Sequence, residues 1–87
     1  MEVFAKNEIA WQKIEDKVFI FNERNGNLVC LEDSGPEFWE LLQNETNVAV
    51  IVQRMADFYN IDKQEIEDDF LGLLKELEKM EMIEKRD

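Results

Sequence analysis

The chain has 87 residues, a formal charge of −11 from 21 acidic and 10 basic side chains, one cysteine and no histidine. Those counts exclude an internal disulfide, the usual Cys/His zinc sites and every nucleophile pair built on histidine. The charge opposes nucleic acid and anionic membrane surfaces, where binding rests on Lys and Arg neutralising phosphate, and leaves a basic or mixed-charge protein partner compatible.

A chain of this length is read as one domain, residues 1–87, with one modest core. No apolar run approaches the ~20 residues of a membrane helix. The opening MEVFAKNEIAW lacks the basic segment and long apolar stretch of a secretion signal, so a cytoplasmic protein is expected.

Glu8 to Ile14 alternates loosely through Ile9 and Trp11 and predicts a first strand, followed by a polar turn at Glu15-Asp16-Lys17. Val18 to Asn22, VFIFN, predicts a second strand, β-branched and aromatic and apolar on both faces. Asn25-Gly26 is the preferred centre of a two-residue type I′ hairpin turn. That turn pairs Arg24 with Asn27, Asn22 with Val29 and Ile20 with Leu31. Leu28 to Glu32 returns as the third strand. Because hydrogen-bonded and non-hydrogen-bonded pairs alternate, the N–H groups of Val29 and Leu31 are expected to point to strand two, and those of Leu28, Cys30 and Glu32 to the free edge. Cys30, inside an apolar strand, is read as a small buried hydrophobe.

Ser34-Gly35-Pro36-Glu37 has the form of a capping box with proline in the first turn. Phe38, Leu41 and Leu42 share one face of a short helix ending by Asn44, with Trp39 alongside. Thr46 or Asn47 caps a second helix, marked by Val48, Ile51, Val52, Met55 and Phe58 at helical spacing. Asp62 caps the last and longest helix, whose first turns are acidic where the macrodipole favours it. There Ile66, Phe70, Leu73, Leu77 and Met80 make one stripe, and Leu71 and Leu74 widen it. The fold class is α+β: a three-stranded antiparallel sheet followed by a three-helix bundle, winged helix-turn-helix-like. Its core is expected to hold Leu31, Trp39, Leu42, Ile51, Met55, Phe58, Ile66, Phe70 and Leu77.

Candidate sites are few. Glu65, Glu67, Asp68 and Asp69 lie on a helical stretch rather than on the glycine-centred loop of a calcium site, so they read as a solvated face. No carboxylate pair sits in an apolar context that would set acid against base. No catalytic residue, metal ligand or cofactor is assigned, and the protein is not read as an enzyme. A DNA-binding winged helix would send its third helix to phosphate, yet that helix carries Glu65, Glu67, Asp68, Asp69, Glu76 and Glu78 against Lys63, Lys75 and Lys79. The third strand is different. Its outer edge has unpaired backbone groups that can recruit a partner's strand, with Leu71 and Leu74 beside it as a pocket floor.

The stretch NGNLVCLEDSGPEFWELLQNETNVAVIVQRMADFYNIDKQEIEDDFLGLLKELEKMEMI resembles the PqqD family, from the biosynthesis of pyrroloquinoline quinone, and the wider class of RiPP precursor recognition elements. The shared pattern is a small-residue turn, Leu31 at the end of strand three, a helix bearing Trp39 and Leu42, and a helix opening at Thr46. It continues with Y-x-I-D at Tyr59 to Asp62 and an acidic helix 3 with Asp69, Phe70, Leu74 and Leu77, and covers about residues 8–83. Two positions depart from it: Leu31-Glu32 stands where the family often has Leu-Asn, and Glu81-Met82 where it often has Gly-Leu.

The resemblance implies a domain that binds the leader of a ribosomally made precursor peptide and delivers it to a peptide-modifying enzyme or leader peptidase, either fused to that enzyme or acting beside it. Because the chain ends soon after the domain, a freestanding version is expected. The leader is expected to add as a strand to strand three (Leu28, Val29, Cys30, Leu31, Glu32). Helix 3 would wall the groove, with Phe70, Leu71 and Leu74 receiving apolar side chains and Glu67 and Lys75 at the rim. The alternatives are a winged-helix regulatory or DNA-associated protein, and a structural subunit that forms a homodimer through a face shared by Phe19, Phe21, Leu28 and Cys30.

Overall fold

The computed structural model describes residues 1–86. In chain order these form β1 (Glu2–Ala5), β2 (Ile9–Ile14), β3 (Lys17–Asn22), β4 (Leu28–Leu31), α1 (Gly35–Leu42), α2 (Val48–Tyr59), α3 (Lys63–Lys79) and β5 (Ile83–Arg86). Strands β2, β3 and β4 make the expected three-stranded antiparallel sheet in sequential order, and the three helices follow it.

A second sheet, in which β1 pairs antiparallel with β5 from Glu2↔Arg86 to Ala5↔Ile83, is absent from the sequence reading. EVFA and IEKR are four residues each, too short for alternation to register, and their pairing joins the two ends of the chain. The sheet is nonetheless part of the core. Val3 and Ile83 are buried, the Val3 N–H donates to the Thr46 carbonyl at 2.9 Å, and the Lys6 N–H donates to the Met82 carbonyl at 3.1 Å. Ile83→Ala should therefore cost about 2–4 kcal/mol, read as a lower denaturant midpoint at unchanged slope. A wild-type midpoint would show that the second sheet adds nothing to stability.

The β3–β4 register differs from expectation by two residues. Ile20 pairs with Val29 and Val18 with Leu31, so the connection is the four-residue loop Glu23-Arg24-Asn25-Gly26 rather than a two-residue turn. Gly26 sits at φ 81 and donates its N–H to the Asn22 carbonyl at 2.8 Å. Asparagine chemistry explains the longer loop. The Asn22 side chain, 3% exposed, accepts from the Arg24 and Asn25 N–H groups and donates to the Glu81 carbonyl at 2.8 Å. Asn25 donates to the Glu81 carboxylate at 2.8 Å, and Asn27 to the Met80 carbonyl at 3.0 Å. The hairpin loop is thus stapled to the end of α3.

That helix end is a Schellman stop. Met82 N–H reaches the Leu77 carbonyl at 2.8 Å and Glu81 N–H the Glu78 carbonyl at 3.0 Å, with Glu81 left-handed at φ 61. A glycine would suit that backbone, but only a longer acceptor there holds Asn25 and, at 3.8 Å, Arg24.

The other caps fall partly as expected. Asn47, not Thr46, caps α2 by accepting from the Ala49 N–H, and Asp62 caps α3 by accepting from the Gln64 N–H at 2.8 Å. Ser34 stands at the N-cap of α1 but is helical in backbone and makes no side-chain cap bond, so the capping box does not form. The expected core residues are buried except Phe58, which is 74% exposed. The buried face of α2 runs through Val48, Ile51, Val52, Met55 and Ala56, one step around the helix from Phe58, whose ring packs edge-on against Tyr59.

Candidate functional site

The Asn22 N–H donates to the Asn27 carbonyl at 2.9 Å, which marks that pair as hydrogen-bonded. Alternation then makes Ile20–Val29 and Val18–Leu31 hydrogen-bonded pairs, and Phe19–Cys30 and Phe21–Leu28 the others. The N–H groups of Leu28 and Cys30 therefore face away from β3. A register error of two residues preserves this parity. β4 is an edge of its sheet, and among the described residues no backbone group outside the sheet bonds those two N–H groups.

Side chains of β4 divide by the same period. Val29 is half-buried and Leu31 buried on the helix side, whereas Leu28 and Cys30 are exposed on the outer face. Cys30 is thus an exposed thiol, not a core hydrophobe, because period two sends it to the same side as Leu28. On that outer face Leu28, 59% exposed, lies directly opposite Phe21, 41% exposed, and Cys30 opposite Phe19. Glu32 follows the strand. Its carbonyl accepts from the Gly35 N–H at 3.0 Å, and its carboxylate pairs with Lys17 at 3.3 Å, a hydrogen-bonded contact that raises the Lys17 ammonium pKa.

Helix α3 presents two flanks to either side of its buried row Ile66, Phe70, Leu74 and Leu77. Asp69, Leu73, Glu76 and Met80 recur at i, i+4, i+7 and i+11 and so share one flank. Asp69 sets this flank toward β4, because it lines a cavity with Asp33, just past the end of β4. Glu67, Leu71, Lys75 and Glu78 occupy the opposite flank, where Glu78 pairs with Lys85 of β5 at 3.2 Å. The structure therefore sets Leu73 and Asp69, rather than Leu71, Glu67 and Lys75, on the side of the open edge. Phe70 and Leu74, expected to receive ligand, are 1% and 0% exposed and belong to the core. Both flanks are visible in the sequence, but no residue type says which one meets the sheet.

At its start β4 is tied to the end of α3 by the asparagine staple, and past its other end lies a cavity. That cavity, of about 320 Å³, is lined by Asp33, Ser34, Tyr59, Ile61, Ile66 and Asp69. Desolvation, and then a hydrogen bond to Glu37, hold the Tyr59 phenol above its ordinary pKa. Among the described residues no group of three or more His, Cys, Asp or Glu side chains is placed to hold a metal ion. No helix among them is long and apolar enough to cross a membrane.

These features define a class, a small α+β domain with an open sheet edge running beside an apolar helix flank. The sequence profile of the family described as coenzyme PQQ synthesis protein D (PqqD) matches residues 17–83, and the chain belongs to that family. No curated protein matches it. Among solved structures, TbiB1 in complex with the TbiA(beta) leader peptide is similar over 97% of this chain and 98% of its own, with a TM-score of 0.88 at 23% identity. Lasso peptide synthetase B1 complexed with the leader peptide is similar over 98% of this chain and 100% of its own, with a TM-score of 0.84 at 19% identity. At these identities the likeness establishes the fold.

Proposed function

We propose that this protein binds the leader region of a ribosomally synthesised precursor peptide and delivers it, in the cytoplasm, to a peptide-modifying enzyme or leader peptidase, catalysing nothing itself. The observation that carries this reading is the open edge of β4, with the Leu28 and Cys30 N–H groups directed outward beside the Leu73 flank of α3. Membership of the PqqD family supports it, as does the presence of a leader peptide in both solved structures that share the fold. The winged-helix-like arrangement of hairpin and helices then serves a peptide rather than DNA, in keeping with the charge of −11.

In this reading the leader adds as a strand alongside β4 and lays alternate apolar side chains on Val29 and Leu73. Leu31, Phe70 and Leu74 form the rigid layer beneath, and Glu67, Leu71 and Lys75 stand outside the contact. A panel of synthetic precursor leaders screened by fluorescence polarisation supplies the probe. On binding, the Leu28 and Cys30 amides should gain protection from hydrogen exchange, while Val29 and Leu31, already bonded to β3, should change little. Protection confined to the helices would refute strand addition.

The two flanks of α3 give a sharper comparison. Leu73→Glu leaves a charge desolvated against an apolar leader side chain and should weaken binding by about 1–3 kcal/mol. Leu71→Glu, on the β5 side, should stay within about 0.5 kcal/mol of wild type. The reverse ranking in two folded variants would move the groove to the other flank.

A further inference from the structure

The cavity just past the end of β4 has its own chemistry. It has an apolar wall, Tyr59 at 42% and Ile61 at 40% exposure with the buried Ile66, and two carboxylates in its lining, Asp33 and Asp69. Neither carboxylate takes part in an ion pair among the described residues, whose five pairs lie elsewhere. The surroundings add negative potential: on the far side of Asp33 and Tyr59 lie Glu15, Asp16, Glu37 and Glu40, with Lys13 already paired to Glu40 at 3.3 Å. A second copy of a chain carrying a charge of −11 would be repelled here.

We infer that this cavity is the subsite for a lysine or arginine of the leader peptide, a deepening that rests on the strand-addition reading above. The aliphatic stem of such a side chain lies along Ile61, Ile66 and Tyr59 while its cation stands between Asp33 and Asp69, the usual division for a long basic side chain. The cavity begins where β4 ends, so it continues the open edge. A leader strand running antiparallel to β4 enters at the Asp33 end, which puts the basic residue on the N-terminal side of the apolar positions. Asp33 is held at φ 57, a conformation that asparagine also adopts readily, so its charge can be removed without disturbing the backbone.

The test is selection of a random-peptide display library on the wild-type protein and on the Asp33→Asn/Asp69→Asn double variant. Wild type should select alternating apolar residues preceded, at one fixed spacing, by lysine or arginine. The double variant should keep the apolar pattern, lose the basic preference, and bind the wild-type selectants about five-fold more weakly at low salt. That difference should shrink as salt is raised. Apolar selection without a basic position, or a basic preference unchanged in the variant, overturns the subsite and leaves strand addition standing. Selectants that bind without protecting the Leu28 and Cys30 amides overturn strand addition and the subsite with it.

Discussion

Trp39→Ala is expected to cost about 3–5 kcal/mol. A domain of this length holds only about 4–13 kcal/mol in all, so much of the population should unfold under mild denaturant. Trp39 is fully buried on α1 and packs T-shaped with Trp11, ring centroids 6.3 Å apart, so its removal empties the junction between the sheet and the helices. The indole also has a cost built in, because its Nε1 is buried without a hydrogen-bond partner among the described residues. Trp39→Phe should accordingly be much milder than Trp39→Ala, since it removes the unpaired N–H along with part of the ring. Denaturant unfolding followed by circular dichroism measures both. An unchanged midpoint for Trp39→Ala would place Trp39 outside the core, and equal damage from phenylalanine would show that the unpaired N–H costs nothing.

Two neighbouring prolines on β4 should have opposite consequences. Proline removes an N–H and is tolerated at a sheet edge only where that N–H points outward. The Val29 N–H is paired with β3, so Val29→Pro should break the hairpin and unfold the domain. The Cys30 N–H faces the open edge and its side chain is exposed, so Cys30→Pro should stay folded. It should nonetheless bind leader about ten-fold more weakly, having lost one donor to the added strand. If Cys30→Pro folds and binds at wild-type affinity, leader does not add to this edge. If Val29→Pro folds as well as wild type, the parity of the ladder is wrong.

The hairpin keeps its edge chemistry under a shift of register. Asn25-Gly26 has the composition of a two-residue turn, whereas the loop spans Glu23 to Gly26 and the register moves by two. Donor direction and side-chain face both have period two, so Leu28 and Cys30 keep their outward N–H groups and their outer face. The loop is longer because Asn22, Asn25 and Asn27 bind the end of α3, a partner more than fifty residues away in sequence. The same contact accounts for Glu81 at a left-handed position where the family often has glycine. Its carboxylate is engaged by Asn25 and Arg24.

Local chemistry sufficed for what is local. Period two placed β2, β3 and β4, period 3.6 placed the helices, and Asp62 announced the start of α3, because each depends on residues within a turn or a pleat of one another. The sheet of β1 and β5 was illegible because each strand is four residues long and finds its partner at the other end of the chain. The flank of α3 that meets β4 was illegible for a related reason. Leu71 and Leu73 flank the same buried row and are equally apolar, so the helical period ranks them alike. The choice between them is made by how α3 docks, with Asp69 beside Asp33 on one flank and Glu78 paired with Lys85 on the other. A helix's own sequence fixes which stripe it buries, but the rotation of that stripe's flanks toward one neighbour or another is set by contacts with distant segments.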